Sequence, residues 1–305
     1  LTLGNPVGLT ALLSSLDPAR GSSTAVVTPA EGPPMIGQML YRLGGRSAHL
    51  SFLVPGNQPD SPALLPLLDY LTQQAGEWGA FNLHAEVEER NPLFEKLRRA
   101  GFVVYSWQHI WQLNPETLPD GQPALWRPAG AADEPAVRSL YQCLAPPLVQ
   151  SAETLPNMRQ SGWVYRQDGE LLGYMEAVFG PRGVVLQPLI HPSTDRVEAL
   201  MRALPLALPP LLGRSLYLVV RSYQSWLDPH LENLSARVGP RQALLVRHLA
   251  HMQRAGVPVT QSSLLPGMES ARPKPTAPIV HPIVVQSRRS SSEKMETVDL
   301  WHRDA

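Results

Sequence analysis

The sequence predicts a mixed α/β fold (an α+β mixed sheet) made of two copies of one unit, and three observations predict it. Segments 80–113 and 217–250 match at a constant offset of 137 residues. The same offset carries residues 36–55 onto 173–192, so that Pro55 falls on Pro192 and Pro92 on Pro229. Within each copy, stretches with strand alternation and stretches with helical spacing follow in the same order.

Each element can be justified from either copy. Apolar runs 36–43 and 47–54 flank Gly44-Gly45, and runs 171–178 and 184–191 flank Gly180-Pro181, so each unit begins with a β-hairpin. Leucine-rich spacing over 63–75 and 197–208 predicts a helix next, followed by apolar strands 80–87 and 215–221. That order implies a parallel crossover. Asn91-Pro92 and Asp228-Pro229 join an N-cap residue to a first-turn proline and start a short helix in both units. Strands 102–105 and 108–113 close the first unit, and strand 241–247 closes the second.

Ahead of the second hairpin stand a strand at 125–127 and a helix over 132–144, with Asp133 as its expected N-cap. In the first unit the equivalent strand would precede residue 1, and residues 9–16 hold only the end of its first helix. The expected domains are therefore 1–114 and 125–253, joined by a linker over 115–124. Residues 254–305 lack sustained periodicity, are rich in proline and serine, and are expected to form a disordered tail. A short strand at 279–285, interrupted by Pro282, is the alternative there. The SRRSSSEK segment reads either as a modification or docking site or as plain tail.

Composition bounds the function. The 305 residues are 43% hydrophobic, enough to fill real cores. Thirty-two prolines are roughly twice the average usage of about 5%, so either the loops are stiffened or part of the chain is unfolded. The 26 basic residues balance 26 acidic ones, which leaves out the footprint of a nucleic-acid binder. The lone Cys143 permits no intramolecular disulfide and fits a reduced cytoplasmic compartment. No signal peptide opens the chain, and the most apolar stretch, 203–212, is too short and proline-broken to span a bilayer, so a soluble protein is expected. The first residue is Leu1, so the N-terminus is either processed or incomplete.

Three segments carry a family resemblance: LWRPAGAADEPAVRSLYQ (125–142), DGELLGYMEAVFG (168–180) and NPLFEKLRRAGF (91–102). Together they resemble the GNAT-type N-acetyltransferase superfamily over almost all of residues 1–253. The resemblance implies two tandem acyl-CoA N-acyltransferase-like domains whose sheets split between central strands to admit the pantetheine arm of acetyl-CoA. It further implies that backbone amides at a helix N-terminus hold the pyrophosphate. Cofactor contacts implied here are Leu53, Val54, Gly56, Asn57, Gln58 and Ser61, with Asn91 matching the family asparagine.

The chain departs from the family pattern of Gln/Arg-x-x-Gly-x-Gly/Ala in both phosphate turns. The first, residues 55–61, has one glycine; Pro59 lacks an amide donor and Asp60 brings negative charge. The second, residues 192–196, has no glycine and an adverse Asp195. Its Ser193, Thr194 and Arg196 offer hydroxyls and a cation, or read as a plain N-cap of the following helix. The tyrosine that the family often uses as an acid is replaced by Phe94 or Leu97 in one unit and by Leu231 or Leu234 in the other.

Acyl transfer to an amine needs a base and groups that steady the thioester carbonyl. Candidates on the central strands are His49, His84, Glu86 and Glu88. Glu86 and Glu88 are either catalytic or a solvated pair at a strand end. Alternation sets His49 and Ser51 against Leu50 and Phe52, on a cleft or on a solvent face. Arg221, Tyr223 and Trp226 line a cleft, or Trp226 packs in the core and Arg221 lies on the surface. No HExxH metal spacing and no GxSxG elbow occurs.

The expectation is an N-acetyltransferase that uses acetyl-CoA as a substrate and no metal. Glu86 or His49 would be the base, and a small-molecule or peptide amine the acceptor, with neither nucleic acid nor membrane as partner. The competing reading is a catalytically inactive tandem module that binds a ligand or a protein.

Overall fold

A computed structural model describes residues 20–42, 45–114, 125–153, 162–211 and 213–249. Among these, twelve strands form one sheet. The first half runs β1 (Arg20–Val27), β2 (Met35–Arg42), β3 (Ser47–Val54), α1 (Leu64–Glu77), β4 (Asn82–Glu88), α2 (Leu93–Arg99) and β5 (Val103–Leu113). The second half runs β6 (Arg127–Pro128), α3 (Glu134–Leu144), α4 (Pro147–Ala152), β7 (Gly162–Gln167), β8 (Glu170–Phe179), β9 (Gly183–Ile190), α5 (Val197–Ala207), β10 (Ser215–Arg221), α6 (Asp228–Asn233), β11 (Arg237–Val238) and β12 (Gln242–His248). No described helix is long and apolar enough to cross a membrane. The expected tail, the strand at 279–285 and the helix remnant at 9–16 lie outside the described residues.

The order across the sheet is β1-β2-β3-β4-β12-β5-β10-β9-β8-β7-β6, with β11 pairing beside β5. Apart from β6, which has no counterpart among the described residues, this order reads the same from either edge once the halves are matched: β4 corresponds to β10, and β5 to β12. Each half thus places its last long strand against the other half. β12 pairs with β4 from Gln242↔Glu88 to His248↔Asn82, and β5 pairs with β10 from Leu113↔Leu216 to Gln108↔Arg221. The two exchanged strands also pair with each other, antiparallel.

Burial follows the spacing of the sequence. Helix α1 buries Leu64, Leu67, Leu68, Leu71 and Ala75, a stripe at the three- and four-residue spacing of one helix face. Each fully buried leucine is worth about 1.5–3 kcal/mol of transfer free energy. The stripe sits on β2 where Gly37 leaves room: a Cβ there would meet Leu71 Cδ1 at 2.9 Å, Leu53 Cδ2 at 3.0 Å and Leu67 Cδ2 at 3.2 Å. Helices α5 and α6 build the matching core of the second half around Leu200, Met201, Leu204 and Leu231. A third core joins the halves, with Val137, Leu140 and Val149 from around α3 and α4 packed together with Tyr105 of β5 and Leu244 and Val246 of β12.

Several expectations need correction. Residues 103–113 form one continuous strand, and a register shift against β12 leaves Tyr105 as an extra residue between Val104 and Ser106. The offset is not constant. It is 133 between the first residues of β4 and β10 and returns to 137 at Pro92 and Pro229, because the turn Ser222–Leu227 lengthens the connection to α6. Strands β1 and β7 escaped the sequence reading. Asp133 stands at the start of α3, yet its carboxylate turns back to accept from Gly130 N–H, Arg127 and Arg166. Asp228 likewise leaves α6 uncapped and accepts the Trp111 indole N–H at 3.0 Å, a contact between halves. The side chains of Ser193, Thr194 and Asp195 make no capping bond to α5.

Two expected outcomes follow from this packing. Fragments 1–114 and 125–305, made separately, will each lack a central strand and show no cooperative melting transition, whereas co-expression will restore it. Gly37→Val will destabilise the chain by roughly 1–3 kcal/mol through overpacking against Leu67 and Leu71, measurable by urea denaturation.

Candidate active site

The sheet contains two parallel pairings, and both end early. β3 and β4 pair only through Ser47↔Asn82, Ala48↔Leu83 and His49↔His84. Beyond His49 and His84 the strands part. β9 and β10 pair from Gly183↔Ser215 to Leu186↔Leu218 and then part in the same way. Each half therefore opens between its central strands, and the exchanged strand lies one strand further on, beyond β4 or β10.

The two openings differ. In the first half the β2–β3 register shifts so that Ser51 has no partner between Leu50 and Phe52. This bulge breaks the alternation, and Leu50 and Leu53, three residues apart, both pack against the first core. The β8–β9 ladder keeps one register throughout.

On the face of the first half opposite α1, His49, His84 and Glu86 lie together where the strands part. The His49 and His84 rings stack with centroids 4.9 Å apart, and Tyr105 meets His84 edge-on at 5.7 Å. His84 Nε2 lies 3.2 Å from Ser47 Oγ. Glu86 and Glu88 are exposed, as is His49, while His84 is buried. Burial, followed by the neighbouring His49, Arg221 and His248, pulls the His84 pKa down to about 3. Desolvation also lowers His49 although part of its ring reaches solvent, and Glu86 and Glu153 oppose the shift. Both shifts favour the neutral imidazole, and at His84 the same burial makes the ring a weak base.

Behind this face a polar network ties the halves together. Arg221 donates to Glu153 and to Gln108 Oε1, each at 2.9 Å. Tyr105 O–H donates to Glu153 at 2.8 Å. Gln108 Nε2 donates to Gln242 at 2.8 Å and stands 3.5 Å from Glu86 Oε2. Burial and then Glu153 push the Tyr141 hydroxyl up to about 12, and burial raises Tyr105 and Tyr223 as well. These phenols stay protonated and pack in the core that the halves share, Tyr105 beside His84 and all three near Leu244 and Leu189.

No protein-family model matches the sequence, and no curated protein does. Solved structures do match. A GCN5-related N-acetyltransferase from Kribbella flavida aligns over 80% of this chain and 95% of its own, with 17% identity and a TM-score of 0.50. A tandem GNAT protein from the clavulanic acid biosynthesis pathway is 18% identical, with a TM-score of 0.47 over 78% of this chain and 86% of that one. A GCN5-related N-acetyltransferase from Sphaerobacter thermophilus is 14% identical, with a TM-score of 0.47 over 78% and 84%. The first of these decides the architecture. The chain has the GNAT fold.

Within the GNAT fold the residues expected at the site are distributed as follows. Leu53 pairs with Gly37 and Val54 with Ile36, and the other edge of this β3 segment faces the opening. Gly56 stands in open space, so its size is no steric necessity. Asn57 and Gln58 lie in the turn, where Gln58 C=O accepts from Ser61 N–H, and Ser61 Oγ accepts from Ala63 N–H at 3.3 Å. Asn91 Oδ1 accepts from Leu93 N–H at 2.9 Å and so caps α2.

Asp60 is tied to Lys96 of α2 at 2.5 Å, which holds the Asp60 carboxyl below its ordinary range. Lys96 is a cation at the turn that the sequence reading passed over. Arg221, given a surface position as one alternative, is buried. Trp226 is only half-buried and lines a cleft of about 790 Å³ with Thr194, Arg196, Arg202 and His230, at the start of α5.

The His84 shift sets a pH dependence. With a folded pKa of about 3 against 6.5 unfolded, its contribution is fully present above pH 6.5 and is lost as pH falls toward 3. Stability should fall by about 1.4 kcal/mol per pH unit in that window from this group. His84→Gln will flatten the slope of the urea midpoint between about pH 6.5 and 5.

Proposed function

We propose that the chain is an acetyl-CoA-dependent N-acetyltransferase whose reaction centre lies in the first half, where β3 and β4 part. The observation that carries this reading is the joint placement of the Ser51 bulge, the neutral His49 and the exposed Glu86 at that opening. The amine nitrogen attacks the thioester carbonyl carbon; a C–N bond forms and the C–S bond breaks. The proton leaving nitrogen passes to Glu86, directly or through water, with His49 assisting. Backbone N–H groups of Leu53 and Val54 orient the carbonyl. Neither Phe94 nor Leu97 carries a hydroxyl, so the departing thiolate takes its proton from solvent.

In this reading the turn holding Gly56, Asn57, Gln58 and Ser61 receives the pyrophosphate, and Asn91 stands beside the pantetheine path. Asp60 opposes a phosphate, but its partner Lys96 is close enough to change allegiance from carboxylate to phosphate.

A second reading, a ligand-binding module without catalysis, is favoured by Pro59 and Asp60 in the first turn. Calorimetric titration of acetyl-CoA separates the two. Binding in the micromolar range supports the enzyme, and no heat up to millimolar concentration overturns it. Asp60→Ala will tighten binding severalfold and Lys96→Ala will weaken it. Glu86→Gln will lower kcat by roughly a hundredfold or more with an accepted amine and leave acetyl-CoA affinity unchanged. Arg196→Glu will leave both unchanged if the first half holds the substrate.

A further inference from the structure

Each opening is bounded by strand backbone, and the ladders show which groups face it. In β9, Gly183 C=O accepts from Gly180 N–H at 3.0 Å and His191 N–H donates to Leu172 C=O at 2.8 Å, both toward β8. Arg182 C=O accepts from Ser215 N–H at 3.4 Å, toward β10. Backbone groups of successive residues turn to opposite edges of a strand, and β9 keeps one register against β8 throughout. Pro188 and Ile190 therefore turn their backbone groups to the opening, beyond the last β9–β10 pair at Leu186↔Leu218. The offset of 137 makes these two the counterparts of Ser51 and Leu53.

The second edge is not available as the first is. Pro188 has no N–H to offer. Ile190 C=O accepts from Gln224 Nε2 at 2.9 Å, and the contact is buried on both sides, with Ile190 0% and Gln224 1% exposed. Ile190 stands on one bank of the opening, and Gln224 belongs to the turn Ser222–Leu227 that leaves the end of β10 on the other bank, so the bond spans the gap. A carbonyl only accepts, so the amide nitrogen faces Ile190 even though Gln224 Oε1 is then buried without a donor. The turn is held at both ends: Ser222 Oγ lies 3.4 Å from Ser106 Oγ, and Leu227 is fully buried in the core of the second half. Its helical course breaks at Gln224 (φ −119°, ψ 19°). The shorter connection of the first half bonds away from β3: Asn91 N–H donates to Glu88 C=O and Glu89 N–H to Arg241 C=O, each at 3.0 Å. Leu53, the counterpart of Ile190, is only half-buried.

We propose that Gln224 is a built-in plug of the second opening. Its side-chain amide holds the carbonyl to which a ligand amide laid along the free edge of β9 would have to donate. The second half is thereby a closed scaffold that lends β12 to the first half, and the chain offers a single opening to a ligand. The plug stands on this geometry alone; the count of one acetyl-CoA per chain rests also on the acetyltransferase reading.

Hydrogen–deuterium exchange of the full chain, read by mass spectrometry, tests the plug without any ligand. Amides of residues 187–191 should be protected in the wild type, and those of residues 51–55 should exchange faster. Gln224→Ala should speed exchange over 187–191 about tenfold or more, while α5 keeps its rate. Unchanged rates over 187–191 in the variant overturn the proposal. Equal acceleration in α5 overturns it too, since that would be a general loosening of the half. Calorimetry then counts sites: the wild type should bind one equivalent of acetyl-CoA, and two equivalents overturn the plug. Absence of any binding counts against the acetyltransferase reading instead, and the exchange rates alone then decide the plug.

Discussion

Backbone pairing between β5 and β12 is the interaction on which the remaining architecture rests. Each is the last long strand of its half, and each completes the sheet of the other half before pairing with its counterpart. Antiparallel ladders satisfy the backbone donors and acceptors of both strands on both edges. The inner strand of each opening, β4 or β10, is paired along its other edge with a strand of the opposite half. The shared core of Tyr105, Leu244, Val246 and the residues around α3 and α4 then packs where neither half has apolar surface enough of its own.

The same fold carries two openings with different equipment. In the first half a bulge at Ser51 redirects β3, and polar side chains at the parting remain in contact with solvent. In the second half β9 runs without a bulge, while Glu153, Arg221 and Tyr105 of the shared network stand beside the histidines of the first opening. Desolvation keeps the buried phenols protonated and the His84 imidazole neutral, whereas His49 and Glu86 reach solvent. The division of labour follows from burial, not from a difference in topology.

Much of this was legible in the sequence, for identifiable reasons. Helix α1 announces itself through leucines on one face, and the hairpins through apolar runs about a glycine turn. Strand β1 did not, because as an edge strand it buries only Ala25. Strand β7 is buried on both faces over 162–165, which erases alternation. At the site, His49 and Glu86 are one strand apart and their proximity follows from parallel pairing, which the order of elements already implies. Arg221 was not foreseeable in its role, since its partners Gln108 and Glu153 are far away in the chain and meet it only after strand exchange. Asp228-Pro229 marked the helix start correctly, but a tryptophan 117 positions away competes for the carboxylate.

The exchanged strand also orders events during synthesis. Asn82 of β4 and His248 of β12 are neighbours across the ladder yet 166 positions apart. While the ribosome makes the second half, β4 and β5 must wait with facing edges open, the geometry most prone to pairing with a wrong chain. At about 5–20 residues per second, that interval lasts on the order of ten seconds or more, long enough for a holdase to matter. That exposure belongs to the growing chain alone, and stability measurements on the finished protein would not register it.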